Sequence, residues 1–314
     1  MFKKMLLIDF KESEIEPKYL NRIKSTTESL TVTSSEDPNL SELLGGADAV
    51  LVKIFTKIDR AILDHAPNLK YIGVCSTAFD AIDVAYAKER GITMCNLGGY
   101  SNEAVAEFLF AALFERAREL ERAKQQARKV DFSFDSFMGM ELRNKILGVI
   151  GAGRIGSRIA EIGIGIGMKV IYFSREQKSD IEKLGAVKKD LDAVLDESDF
   201  ISLNLSLNKE TEGIISKEKI DILKKNCIFI NLSPPPLIDQ EAMLNKTATG
   251  DITYIFDHSD DIDEDLAKRY IENKNCIVYP PIAFRTEEAT VSRWETLVSN
   301  VENFIQGNLQ NVVN

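Results

Sequence analysis

"LGVIGAGRIGSRIAE", residues 147–161, decides how this chain is read. The apolar run ending at Ile150 has the length of a buried strand, and the residues from Arg154 onward open a helix. Between them stand Gly151-Ala152-Gly153-Arg154-Ile155-Gly156. A bare GxGxxG is a weak signal, but between a strand and a helix it predicts a dinucleotide loop. Gly151 permits the tight turn, Gly153 admits a pyrophosphate to the backbone, and Gly156 lets helix and strand approach closely. The pyrophosphate would rest on the helix N-terminus, where free N–H groups and the dipole favour anions. Gly163, Gly165 and Gly167 also alternate nearby, but they precede a strand instead of following one. Inside a helix each costs about 1 kcal/mol, and the sequence offers no reason for Gly163 or Gly165.

About 20 residues beyond the loop, such folds place an acid on the adenosine ribose. Here that place is Ser174, followed by Arg175. A carboxylate would repel a 2′-phosphate, whereas a serine beside an arginine can bind one. NADP(H) is therefore favoured, and the adjacent Glu176 leaves NAD(H) open.

Outward from the loop, short apolar runs alternate with helix-length amphipathic stretches. Strands are expected at 5–10, 47–52, 71–75, 146–151, 169–173, 200–205, 227–231, 252–256 and 276–280. Residues 82–91 read as a helix closed by Gly91. The longest helical pattern, 101–129, precedes the strand at 146, and a second, from 286, closes the chain. Strand–helix alternation implies an α/β fold with parallel sheets covered on both faces. Two sheets fit better than one. The expected division is 1–99 with 285–314 in one domain and 100–284 in the other.

The totals exclude several classes. With 39 basic against 49 acidic residues among 314, the net charge of −10 argues against a nucleic-acid surface. Cys75, Cys95, Cys227 and Cys276 lie singly in or beside apolar segments without a CxxC pair, and only His65 and His258 join them. Free thiols, no metal site and a reducing, cytoplasmic setting are expected. The apolar run near the N-terminus is too short for a signal peptide, and no segment reaches the length of a membrane span. Asp261, Asp263 and Asp265 in "DDIDED" alternate like calcium ligands, but Leu266 stands where the loop needs glycine. An acidic helix start explains them better.

Several ordered motifs resemble the D-isomer-specific 2-hydroxyacid dehydrogenases, the family of glycerate and hydroxypyruvate reductases. They are "LKYIGVCSTAFDAIDVAYAKERGI" 69–92, "NLGGYSNEAVAE" 96–107, the glycine loop, "NKETEGII" 208–215, "NLSPPPLID" 231–239, "GDITYIF" 250–256 and "YPPIAFRTEEAT" 279–290. The resemblance implies a flavodoxin-like substrate domain and a Rossmann domain flanking a cleft, in a homodimer. It implies hydride transfer between a nicotinamide and the carbon bearing a 2-hydroxyl. It also implies nucleotide contacts from Gly151, Gly153, Arg154, Ile155, Gly156, Ser174, Arg175, Leu205, Ser206, Thr211, Leu232 and Ser233.

The departures gather at the reactive centre. The family's substrate arginine falls on Pro234, with Pro235 and Pro236 in place of two glycines. Its histidine falls on Pro281, and its glutamate on Ser259, one place before Asp260. The aspartate that usually holds the carboxamide is Tyr254, and the carboxylate-cradling glycine loop has become Ser76-Thr77-Ala78. Proton transfer alone contributes ~10²–10⁴-fold, and a charge clamp a further ~10²–10³-fold. The leading expectation is thus a nucleotide-binding protein whose hydride transfer on 2-oxo acids is very weak or absent, with a sensing, regulatory or dimerising role. The alternative is a working NADP(H)-dependent oxidoreductase in which Lys53, Tyr279 or His258 replaces the lost groups. An uncharged or amine-bearing substrate would suit a pocket without the arginine. Structural roles compete: Lys53 as a solvated cation, Tyr279 as a strand-end aromatic, His258 as a loop residue and His65 as an exposed helix residue.

Overall fold

The computed structural model describes residues 1–314. The chain divides into two compact units, Met1–Ser101 with Thr286–Asn314, and Asn102–Arg285. Each carries its own parallel sheet, which is why the strands read as continuous apolar runs.

The first unit holds β1 (Phe2–Ile8), β2 (Thr27–Thr33), β3 (Ala49–Val52), β4 (Tyr71–Val74) and β5 (Thr93–Cys95), in the order β2-β1-β3-β4-β5. Successive side chains point to opposite faces, so Leu6, Ile8, Val50 and Val52 build one buried cluster. Met5, Leu7, Ala49 and Leu51 build the other, which also takes Trp294, Leu297, Val298 and Val301 from the C-terminal helix Glu287–Gln306. Thr286 caps that helix by accepting from the Ala289 amide, and Gly307 closes it at φ 79°. The chain end then returns to the sheet: Cys95 bridges Val312 antiparallel, and Asn314 bonds Met94 and Ile92.

The second unit holds β6 (Ile146–Ile150), β7 (Lys169–Phe173), β8 (Val187–Lys188), β9 (Phe200–Leu203), β10 (Cys227–Asn231), β11 (Ile252–Phe256) and β12 (Cys276–Val278). Their order is β12-β11-β10-β9-β6-β7-β8. The chain leaves β6 toward β7 and later returns to its other side with β9. That reversal opens a crevice outside the strand C-termini, the ordinary ligand position in such sheets.

The structure corrects the sequence reading in three places. The helix expected over 101–129 is two helices, Asn102–Ala117 and Leu120–Ala127, broken at Glu119 with φ 50°. The first buries Leu109, Phe110 and Leu113, whereas the second buries nothing, and the Ala117 carbonyl is taken by the Met140 amide. Strands β2, β5 and β8 were not expected; β2 is half-exposed and polar, and β8 is two exposed residues. Gly163 gains a reason: a Cβ there would lie 2.7 Å from Leu147 Cδ2, so the helix rests directly on β6. Gly165 faces open space, and nothing in the structure explains it.

Candidate active site

The glycine loop follows β6 and opens the helix Arg154–Gly165. Gly151 has φ +94°, and a Cβ there would lie 2.6 Å from the Asn204 carbonyl oxygen. A Cβ on Gly153, by contrast, would meet no protein atom within 4 Å. Gly153 is the N-cap and supplies no side chain, so the first-turn amides remain open to a ligand. An uncapped helix start beside a bare, outward-facing glycine fits a pyrophosphate.

The remaining nucleotide candidates surround this turn. Ser174 follows β7 directly and is half-buried, while Arg175 is exposed and paired with Glu210 at 3.3 Å. Leu205 lies beside Gly151. The Thr211 hydroxyl donates to the Ser206 carbonyl at 2.7 Å, and the Ser233 hydroxyl to the Leu203 carbonyl at 2.9 Å. Leu232, half-buried, follows β10.

Pro234-Pro235-Pro236 form a tight turn that returns the chain toward β-structure. Pro235–Leu237 make one 3₁₀ turn, whose fixed φ suits proline. The freed carbonyls are used: the Gly213 amide donates to Pro236, and Gln240 Nε2 to Pro235 at 2.6 Å. Asp239 then caps the helix Gln240–Ala248 through the Ala242 amide. Tyr254 is buried in an aromatic cluster with Phe256 and Tyr270, and Asn231 Nδ2 donates to its hydroxyl at 3.2 Å. No charge remains in either place.

The substitutes named from the sequence fare differently. Lys53 is ion-paired with Glu14 at 2.6 Å. Tyr279 donates to Glu115 at 2.7 Å, and burial together with that carboxylate pushes its pKa far above the ordinary tyrosine value. Tyr279 is thus a poor proton donor. His65 sits at a helix end with Nδ1 against the Ala61 carbonyl. Ser259 is half-buried and Pro281 half-buried, and neither offers an acid or base.

His258 stands apart. Its Nδ1 lies 3.0 Å from Asp261 Oδ2, and a carboxylate only accepts, so Nδ1 carries the hydrogen. Its Nε2 lies 3.9 Å from Asp257 Oδ1 and is free of a hydrogen bond. Asp257, first residue after β11, is 3% exposed, and that Oδ1 has no hydrogen-bond partner. Its Oδ2 accepts from the Ala283 amide at 3.0 Å, two residues past Pro281. Burial raises the Asp257 pKa, and the neighbouring His258 opposes the rise. The sequence gives no sign of Asp257, which stands among other acids in the stretch 257–265. Ligand atoms of His258, Asp260 and Asp261 also lie within 4.8 Å of one another, on an exposed acidic turn. The "DDIDED" run continues into a helix start, where Asp263 caps through the Leu266 amide.

In the first unit, the Cys75–Ala78 loop follows β4. Thr77 Oγ1 donates to the Leu97 carbonyl at 3.0 Å, and Asn96 Nδ2 to the Thr77 carbonyl at 2.7 Å. The amides of Ser76, Thr77 and Ala78 meet no protein acceptor, so the loss of the glycines has not cost the donors.

Residues 110–283 match the family model described as the NAD-binding domain of D-isomer-specific 2-hydroxyacid dehydrogenases. A glyoxylate reductase of Thermococcus litoralis is 33% identical over 288 residues, 88% of this chain and 86% of that protein. A hydroxypyruvate reductase of Blautia hydrogenotrophica is 31% identical, over 86% of each chain. Among solved structures, a D-lactate dehydrogenase of Aquifex aeolicus with NAD and lactic acid superposes with a TM-score of 0.88 at 30% identity, covering 98% of both chains. An acyclic imino acid reductase in complex with NADPH and D-Arg superposes at 0.89 and 27% identity, covering 99% of this chain and 100% of that one. No helix of the chain is long and apolar enough to cross a membrane.

Proposed function

The chain belongs to the D-isomer-specific 2-hydroxyacid dehydrogenase family, and from that premise we propose a working NAD(P)(H)-dependent oxidoreductase acting on a small carbonyl compound or imine. The observation that carries this reading is the His258 imidazole set between two carboxylates. Asp261 fixes the ring and its tautomer. Asp257, buried and lacking a partner for Oδ1, stands 3.9 Å from Nε2. Nε2 is then the atom that exchanges a proton with substrate, a task that the empty slots at Pro281 and Ser259 leave open. The nicotinamide, when bound, supplies the hydride.

Nucleotide binding rests on Gly151, Gly153 and Gly156 with the open first turn of Arg154 and Ile155. Ser174 and Arg175 support NADP(H) over NAD(H), with Arg175 free to leave an exposed partner for a 2′-phosphate. The related reductases and the imino acid reductase support carbonyl or imine reduction as the reaction class.

Oxidation of NADPH and NADH by purified protein, with glyoxylate, hydroxypyruvate and pyruvate, each with and without methylamine, tests the reading. Turnover on at least one pair is expected, falling ~10²–10⁴-fold in His258→Gln. A protein that binds nucleotide but oxidises it with no compound favours the second reading, nucleotide binding without turnover. That reading draws its support from Pro234 and Pro281.

A further inference from the structure

The second unit lacks a substrate-binding arginine at Pro234, yet the first unit holds a guanidinium with nothing to do. Arg293 lies on the helix Glu287–Gln306, half-buried. Its side chain makes no ion pair and no hydrogen bond with the protein, and its Nε is fully buried without an acceptor. Most other arginines on this chain's helices are spoken for. Arg22 pairs with Glu295 and Glu302, Arg158 with Glu103 and Glu161, and Arg269 with Glu241. A buried guanidinium donor without an acceptor costs free energy, so such a group calls for a partner, and an anion matches its charge.

Its surroundings are suited to one. The guanidinium carbon sits 5.4 Å from the Trp294 ring centroid, within cation–π reach. The Trp294 end of this helix packs on Phe10 and its Phe304 end on Tyr71, and Cys75 and Tyr100 pack on the same buried cluster, so Arg293 lies at the end of the sheet where the loop starting at Cys75 leaves β4. Burial pushes the thiol up to about 11 and raises the tyrosine, so both stay neutral and neither supplies a counter-charge. The amides of Ser76, Thr77 and Ala78 add unused donors on the same loop. A second cation of the same unit, Lys53, is already held by Glu14.

We propose that Arg293, with the Ser76–Ala78 amides of the same unit, anchors a carboxylate of the substrate. The assignment rests on the oxidoreductase reading and narrows its substrate to a small carboxylate, a 2-oxo acid or the imine formed from one. Planar, two-pronged donation to a carboxylate is what a guanidinium does and an ammonium does not.

Oxamate, an unreactive analogue of a 2-oxo acid, tests this without turnover. Calorimetric titration of the full-length protein in the presence of NADPH should give saturable binding. Arg293→Gln, which keeps a planar group on Trp294 but removes the charge, should weaken it ~10²–10³-fold. Arg293→Lys should recover part of that loss. Thermal unfolding of each variant shows that the fold survives. Oxamate affinity unchanged in Arg293→Gln overturns the assignment, and so does a wild-type protein that does not bind oxamate. Oxamate binding lost with Arg293 in a protein that oxidises no nicotinamide would leave the anchor standing and remove only the oxidoreductase reading.

Discussion

A Cβ atom on Gly156 would lie 2.0 Å from the carbonyl oxygen of Gly151, closer than any side chain tolerates. The two glycines hold β6 and the following helix at a distance that no other residue at 156 permits. Gly156→Ala should destabilise the protein by about 1–3 kcal/mol and remove nucleotide binding with it. Gly153→Ala should lower stability much less, by no more than the roughly 1 kcal/mol of a poorer N-cap, because its Cβ meets nothing. It should still weaken NADPH by roughly tenfold or more by standing where the pyrophosphate must approach. Thermal unfolding beside nicotinamide-fluorescence titration separates the two effects, and equal loss of stability in both variants would contradict this account of the turn.

The preference for a phosphorylated ribose can be read on Arg175. A charged hydrogen bond to phosphate is worth about 1.5–3 kcal/mol, so Arg175→Ala should weaken NADPH roughly 10–100-fold while NADH changes little. Competitive titration of the two nucleotides measures this. An equal loss for both would remove Arg175 from the 2′-phosphate.

Asp257 gives a pH signature opposite to that of a surface carboxylate. Its pKa in the folded chain stands above the ordinary 3.8 because burial penalises the ion. Its stabilising contribution is therefore complete below 3.8 and is lost as pH rises through the raised value. Asp257→Asn keeps an acceptor for the Ala283 amide and should be at least as stable as wild type at pH 7, with the advantage vanishing below 3.8. Turnover should nonetheless fall, since the His258 ring loses a charge 3.9 Å from Nε2. Urea unfolding at both pH values, with kinetics, checks the pair of effects; a variant less stable at pH 7 would contradict the sign.

Arg22 ties the helix Pro17–Ser25 to the C-terminal helix, meeting Glu302 through Nε at 3.0 Å and Nη2 at 2.7 Å, and Glu295 through Nη1 at 2.8 Å. The network is partly exposed, so Arg22→Met should cost only about 1 kcal/mol, and less at high salt. The sole tryptophan, Trp294, lies in the same unit. Its emission during urea unfolding at low and high salt reports this loss without interference from the other unit.

Much of this architecture was legible because each local signal agreed with the others. Strands β7, β10 and β11 stand where their apolar runs predicted, and Gly91 closes its helix at positive φ. Strand β2 was illegible because half of "TESLTVT" faces solvent and carries no apolar run. The break at Glu119 was hidden because every residue around it favours a helix; the Ala117 carbonyl there accepts from the Met140 amide, far along the chain. The glycine loop announced the nucleotide site, but the reactive groups gave no such sign. Asp257 looked like one more acid in an acidic stretch, and Arg293 like one more cation on a charged helix. Only burial without a partner separates them from their neighbours, and burial is a property of three dimensions.

The polypeptide leaves its first unit at Ser101 and rejoins it at Thr286. On the ribosome, at ~5–20 residues per second, roughly 10 to 40 s separate the two instalments. Throughout that interval the growing sheet lacks Trp294, Leu297, Val298 and Val301, the cover of one apolar face. The nucleotide-binding unit is uninterrupted and can finish first. The earlier-made half carries that bare apolar face until the last helix emerges, so its completion is set by the order of synthesis.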